Sequence, residues 1–360
     1  MGMSAANTLT LSFATAHNAD FPRLGGKCAS LARMIAAGVN VPAGYAVTTD
    51  AYALHLQNTG LTKKITDLIA SINVDNIDDE ERKSQEIRDA IIASPMPPQV
   101  EAEIRAAYAA VSPNDDLPVA VRSSATAEDM PDASFAGQQD TYLWVVGADD
   151  VVTKVKACWA SLFNARAISY RVKNQLGHID VLMAVGVQKM INAAAAGVAM
   201  TLDPVTGDRT KIVIDSSFGL GEPVVSGEVT PDNFIVEKVL LEILKRQISD
   251  KDHELVADRA ARKTVTRPIE FARRNLPSLT DAQIIAVARL AKSLERSFGC
   301  PQDVEWAIDA DLPDGENLVA LQSRPETVWS QKKNTAAKQS YSLGIEGVLG
   351  TLMAPIQTKS

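Results

Sequence analysis

The chain has 360 residues, 46% hydrophobic and 22% charged, with 36 Lys and Arg against 44 Asp and Glu, for a net charge of −8. That length and apolar content suffice for two domains or two large subdomains, and the acidic balance excludes the broad basic face that nucleic-acid binding needs. Cys28, Cys158 and Cys300 form no CxxC pair, and His17, His55, His178 and His253 show no metal-ligand spacing, which excludes a disulfide framework and a zinc motif.

The first twenty residues lack a basic region followed by an apolar core. The most apolar stretch, 184–200, is interrupted by Lys189 and Asn192. A soluble, cytoplasmic protein with no membrane partner is expected. Residues 27–37 predict a helix after Gly25-Gly26, stopped by Gly38. An extended stretch follows at 39–49, and residues 50–110 are predicted mostly helical. Within them the charge run 78–83 reads as a solvated face, and the Pro-rich segment 94–98 restarts a helix at about 99–111. VAVRSS (119–124) predicts a short strand running into a polar loop, and 141–147 a second strand. Residues 149–176 read as one helix whose Val152, Val155, Trp159, Leu162 and Phe163 form a core stripe. Strands are expected at 181–191, 197–207 and 211–219, then a mixed region. A helix at 280–297 is capped by Thr280, with Ile284, Val287, Leu290 and Leu294 inward. Residues 303–309 and 318–327 predict a β-hairpin around Pro313-Asp314-Gly315. The composition changes after Trp329, and 330–360 is expected to be a C-terminal extension.

Alternation along the hairpin carries chemical information. Val304, Trp306 and Ile308 share one face, so Asp303 and Glu305 share the other, and Gln322 and Arg324 share a face on the second strand. Glu305 and Gln322 are equidistant from the turn. A carboxylate beside a carboxamide oxygen is a hard-ligand pair suited to Mg²⁺, and an arginine on the same face can clamp phosphate. The alternative is a solvated polar face. Gly25-Gly26-Lys27 could place a helix N-terminus and a lysine at an anion. It is not a Walker A loop, because Phe21 stands where glycine is required. GLGE (219–222) is not a dinucleotide fingerprint, because position 224 is valine. VRSSATAEDMPDASFAGQQDT (121–141) gathers one arginine, small hydroxyl residues and glycine into a segment suited to wrapping an anion.

These blocks occur together, and in that combination the sequence resembles the phosphoenolpyruvate synthase, pyruvate phosphate dikinase and rifampicin phosphotransferase family. The resemblance extends over residues 20–329 through LGGKCASLARMIAAGVNVPAGYAVTT, VAVRSSATAEDMPDASFAGQQDT, SLFNARAISYR, VGVQKM, LDPVTG, GLGEPVVSGEVTPD, GCPQDVEWAID and LQSRPETVW. It implies an α+β ATP-grasp fold of two subdomains, 1–185 and 186–329, with ATP between them. By motif, Lys27, Arg122 and Arg324 would hold the phosphates, and Glu305 and Gln322 would bind Mg²⁺, with Mn²⁺ as an alternative. The loop containing Ser134, Gly137, Gln138 and Gln139 would close over the phosphates. Gln188 and Met190 would line the adenine pocket, partly through backbone groups, and Glu222 would sit near the ribose. Asp203 and Arg166 match motif positions and are expected to be structural.

The family's phosphorylated-histidine motif has no counterpart here, and the resemblance stops at about Trp329. The expectation is therefore a nucleotide-binding subunit of a split dikinase, with the histidine and the acceptor site on a separate partner subunit. In that half-reaction a histidine attacks the β-phosphate of ATP, giving AMP and a pyrophosphorylated histidine that then loses phosphate. Phenylphosphate synthase is the expected enzyme. The alternatives are the ATP-binding part of a phosphoenolpyruvate synthase or rifampicin phosphotransferase, and a non-catalytic nucleotide sensor.

Overall fold

The computed structural model describes residues 8–73, 76–126, 140–173 and 181–329. In chain order the first half comprises β1 (Thr10–Ser12), α1 (Gly25–Ala36), β2 (Gly44–Val47), α2 (Thr49–Thr59), α3 (Leu61–Ala70), α4 (Ile77–Ala93), α5 (Pro98–Val111), β3 (Val119–Ala125), β4 (Thr141–Val145), α6 (Ala148–Ser161), α7 (Ala165–Lys173) and β5 (Met183–Lys189). The second half comprises β6 (Ala193–Met200), β7 (Lys211–Phe218), α8 (Glu222–Ser226), β8 (Asp232–Glu237), β9 (Ile243–Gln247), β10 (His253–Asp258), β11 (Lys263–Pro268), α9 (Phe271–Arg274), α10 (Asp281–Phe298), β12 (Gln302–Asp309) and β13 (Leu318–Pro325).

The architecture is α+β, as expected. One antiparallel sheet has the order β1-β2-β5-β3-β4, another the order β13-β12-β6-β7-β8-β9, and β10-β11 form a separate ribbon. Helices α2 to α6 bury their apolar stripes on one face of the five-stranded sheet, around Tyr52, Tyr108 and Trp159. Helix α10 covers the six-stranded sheet, where Val304, Trp306 and Ile308 meet Ile284, Val287 and Leu294. Helix α1 lies against β3 and β5 on one side and β13 on the other. It therefore holds the two sheets at a cleft.

Helix α10 begins as the sequence predicts. The Thr280 hydroxyl accepts from the Gln283 N–H, and Gln283 Oε1 accepts from the Thr280 N–H at 2.9 Å. Of its four inward positions, Leu290 is only half-buried. The helix expected over 149–176 is instead two. The chain turns at Leu162-Phe163, and Asn164 restarts it by accepting from the Ala167 N–H at 2.7 Å. The strand expected over 197–207 ends at Met200. Asp203 then closes a turn, its Oδ1 accepting from the N–H groups of Val205 and Thr206. The subdomain boundary expected at 185/186 falls inside β5, which pairs with β2 and β3. Cys28 and Cys158 are buried free thiols, and burial pushes the Cys158 thiol well above its ordinary value. Among the described residues no helix is long and apolar enough to cross a membrane.

Candidate functional site

Arg122 is the one half-buried residue of β3, a strand otherwise buried along its length. Val119 and Val121 point into the helix-covered core, so alternation turns Arg122 to the opposite face, toward the second sheet. Its Nη2 lies 3.1 Å from Gln322 Oε1 and 3.4 Å from Glu305 Oε2. Its Nε is buried without a hydrogen-bond partner among the described residues. A buried guanidinium donor left unpaired is costly, and an anion is the ligand that satisfies it. Lys27 comes from the first turn of α1, with Nζ 3.4 Å from the Ser123 carbonyl. That turn is pinned to β3 by Ser124, whose hydroxyl accepts from the Cys28 N–H at 3.1 Å and donates to the Leu24 carbonyl at 2.9 Å.

Glu305 and Gln322 are direct partners in the β12–β13 register, and the ladder shifts immediately after Glu305. Two positions further from the turn, on the same face, Asp303 pairs with Arg324, whose Nε stands 3.4 Å from Asp303 Oδ2. The Arg324 side chain is 58% exposed and does not line the cleft. In this structure the Arg324 guanidinium rests against the Asp303 carboxylate. Sequence reasoning assigned no role to Asp303, although alternation already put it on the face of Glu305. Burial pushes the Asp303 carboxyl above its ordinary value, with Arg324 opposing that shift.

Beyond Glu305 the cleft opens into a cavity of about 300 Å³. Leu143, Met190, Leu220 and Leu321 give it an apolar lining, and Gln188, Glu222, Arg122 and Glu305 a polar one. Such a mixture suits an amphipathic small molecule. Two backbone donors at this exit of β5 are already engaged within the protein. The Met190 N–H donates to the Pro118 carbonyl at 2.9 Å and the Lys189 N–H to the Ala43 carbonyl at 2.8 Å, so neither is free for a ligand. Gln188 is buried, with Nε2 3.5 Å from the Pro42 carbonyl. Glu222 opens α8 directly after Gly221.

Ser134, Gly137, Gln138 and Gln139 lie outside the described residues. Asp203 has the structural role expected of it, closing its turn. Arg166 is exposed on α7. No group of three or more His, Cys, Asp or Glu residues able to hold a metal ion occurs among the described residues. Glu305 and Gln322 thus offer two oxygen donors. That fits Mg²⁺, which binds through one or two protein groups and completes its octahedron with water and phosphate oxygens.

Residues 21–344 match the family model described as pyruvate phosphate dikinase, AMP/ATP-binding domain. The chain is 44% identical over 338 residues to a probable phosphoenolpyruvate synthase of Staphylothermus marinus, covering 87% of this chain and 40% of that protein. It is 44% identical over 342 residues to the phosphoenolpyruvate synthase of Aeropyrum pernix, covering 88% and 42%. Against the phosphoenolpyruvate synthase of Pseudomonas aeruginosa it is 41% identical over 345 residues, covering 92% and 43%. The chain thus spans less than half the length of these curated relatives. The fold is of the α+β ATP-grasp type, and the chain belongs to the pyruvate phosphate dikinase AMP/ATP-binding domain family.

Proposed function

We propose that this chain is the nucleotide-binding part of a phosphoenolpyruvate synthase-type dikinase. It would bind Mg-ATP between the two sheets and present the β-phosphate to a histidine supplied from outside the residues described. The transfer breaks the bond between the α- and β-phosphates, leaves AMP, and places pyrophosphate on the histidine. Hydrolysis then releases phosphate, and the remaining phosphoryl group passes to pyruvate. The observation that supports this most directly is the convergence of Arg122 from one sheet with Glu305 and Gln322 from the other.

Phosphoryl transfer asks the protein mainly for alignment and charge stabilisation. Arg122 and Lys27 would offset the charge that builds on the transferring oxygens, and the unpaired Arg122 Nε is a donor ready for one of them. Glu305 and Gln322 would hold Mg²⁺ or Mn²⁺, which when bound neutralises the β- and γ-phosphate oxygens. In this structure Arg122 rests against both donors, so it must shift toward the phosphates before they hold a cation. Leu143, Met190 and Leu220 would enclose the base, with Gln188 and Glu222 as its polar contacts and Glu222 nearest the ribose. The segment containing Ser134, Gly137, Gln138 and Gln139 would close over the phosphates. The two subdomains would be the parts up to the end of β5 and from β6 to 329.

The relatives are named phosphoenolpyruvate synthases, so their names favour pyruvate as acceptor over phenol, and phenylphosphate synthase has no support among them. The histidine belongs either to a longer protein of which this is a part or to a partner subunit. The test is product analysis. The chain is incubated with Mg-ATP and the histidine-bearing remainder of one of these relatives, with and without pyruvate. AMP and phosphate, joined by phosphoenolpyruvate on adding pyruvate, are expected. ADP would overturn the reading, and phenylphosphate formed from added phenol would reinstate the other acceptor.

A further inference from the structure

Behind the wall of the cleft lies a buried charged cluster for which the proposed reaction has no direct use. Lys251 and Asp232 are both fully buried, with Nζ 2.5 Å from Oδ1. Asp232 also accepts from the Ser249 N–H at 2.9 Å, and from the N–H and the hydroxyl of Ser278, both at 2.7 Å. The Ser278 hydroxyl lies 2.9 Å from that of Ser216 on β7. A buried ion pair adds little stability over a well-packed apolar pair of the same volume. Its value lies in the geometry it specifies.

That geometry converges on Phe218, the last residue of β7. Lys251 Nζ stands 5.3 Å from the centre of its ring and the Arg273 guanidinium carbon 4.0 Å from it. Arg273 is anchored in turn by both oxygens of Glu254 at 3.1 Å, and Glu254 also accepts from Arg267 Nε at 2.9 Å. One aromatic ring is thus engaged by two cations, each tied to a buried carboxylate. The ring quadrupole attracts both. Immediately after the ring the chain forms the cleft wall, Leu220 to Glu222. The backbone there is pinned as well, with the Gly219 N–H on the Ala194 carbonyl at 3.2 Å and the Leu220 N–H on the Leu255 carbonyl at 2.8 Å.

We infer that Phe218, engaged by Lys251 and Arg273, is a positioning residue for the nucleoside end of the cleft, holding the loop Gly219–Glu222 against the base and ribose. The inference rests on the nucleotide-binding reading. Lys27 and Arg122, taken as the phosphate end, sit on α1 and β3, elements that contribute no residue to this cluster. A disturbance at Phe218 is therefore felt by the nucleoside and not by the triphosphate.

The experiment compares Mg-ATP with Mg-tripolyphosphate by calorimetry on the full chain. Phe218→Leu keeps the apolar bulk and removes the ring. It is expected to weaken ATP about tenfold while tripolyphosphate affinity stays within about twofold. Phe218→Tyr restores a ring and should return ATP affinity to within about threefold of the unaltered chain. Unchanged ATP affinity in Phe218→Leu overturns the inference. So does an equal weakening of both ligands, which marks general loosening. If the unaltered chain binds tripolyphosphate as tightly as ATP, the nucleoside end contributes nothing and the inference falls while the anion site stands. If it binds neither, the nucleotide-binding reading falls and this inference with it.

Discussion

Glu305 and Gln322 face each other across the β12–β13 hairpin in direct register, and the guanidinium of Arg122, from the other sheet, touches both. On the proposed reading, each sheet alone offers half of a phosphate site. Helix α1 packs against β3, β5 and β13 through buried Gly25, Cys28, Leu31 and Met34, and so keeps the two sheets in contact.

Glu305→Ala removes, among the described residues, the one carboxylate in contact with Arg122. Glu305 is partly exposed, so the melting temperature should hardly move. The response of ATP affinity to Mg²⁺ should collapse, by about 10- to 100-fold, the equivalent of about 1.5–3 kcal/mol for a charge-assisted contact. Calorimetric titration with and without Mg²⁺ checks this. A variant that keeps the full Mg²⁺ response removes Glu305 from the metal site.

The relation between Glu305 and Gln322 was legible in the sequence because a strand has a fixed period and a short hairpin has a centre. Two facts, the apolar face of Val304, Trp306 and Ile308 and the turn at Pro313-Asp314-Gly315, place the pair. Arg324 shows where that logic stops. Alternation gives the face of a long side chain and not the direction of its charged end, which here turns to Asp303. Met190 shows a second limit. Its position in the cleft follows from β5, but its N–H is taken by Pro118, a long-range contact that no local pattern reveals. The break at Leu162–Asn164 was hidden because the apolar stripe continues across it, with Leu162 and Phe163 buried in the same core as Trp159. The cluster around Phe218 was invisible for a similar reason. Its residues come from β7, β8, β10, β11 and α9 and the segments between, and nothing in the sequence pairs them.

Gly25 is the residue through which α1 meets β3. Its φ is +67°, and a Cβ built there would lie 2.0 Å from the Ser124 carbonyl oxygen. Gly25→Ala therefore combines a left-handed backbone penalty of about 1–2 kcal/mol with an overpacking cost of about 1–3 kcal/mol. Urea denaturation should show a loss of that combined order, and ATP affinity should fall because Lys27 rides on the same turn. A variant with unchanged stability and affinity would mean that α1 is not wedged as described.

Lys251→Met leaves Asp232 buried with its charge uncompensated, a situation that costs about 3–5 kcal/mol. The same substitution combined with Asp232→Asn removes that charge and keeps an oxygen acceptor for Ser249 and Ser278. The double variant should therefore be more stable than Lys251→Met alone. Equal instability of the two would show that Lys251 contributes by packing and not by pairing with Asp232.

His55 gives the chain an acid-sensitive core. The imidazole is fully buried, its ring centre 5.0 Å from that of Trp159 and its Nε2 3.0 Å from the Ser94 hydroxyl. Its Nδ1 has no partner among the described residues. Burial first, and the nearby Lys156 second, hold its pKa down at about 4. In the unfolded chain the value is about 6.5, so between these limits the unfolded state binds the proton and the folded state does not. The contribution of neutral His55 is complete above about pH 6.5 and is lost as the pH falls toward about 4, on the order of 2 kcal/mol by pH 5. His55→Phe keeps an aromatic ring beside Trp159 and cannot titrate. Loss of the ring nitrogen leaves the Ser94 hydroxyl with its bond to the Ile91 carbonyl at 2.7 Å. Urea unfolding at about pH 7 and about pH 5 should therefore show a smaller drop in stability for His55→Phe than for the unaltered chain, because the carboxylate contributions are common to both. Identical drops would mean that His55 takes up its proton in the folded state.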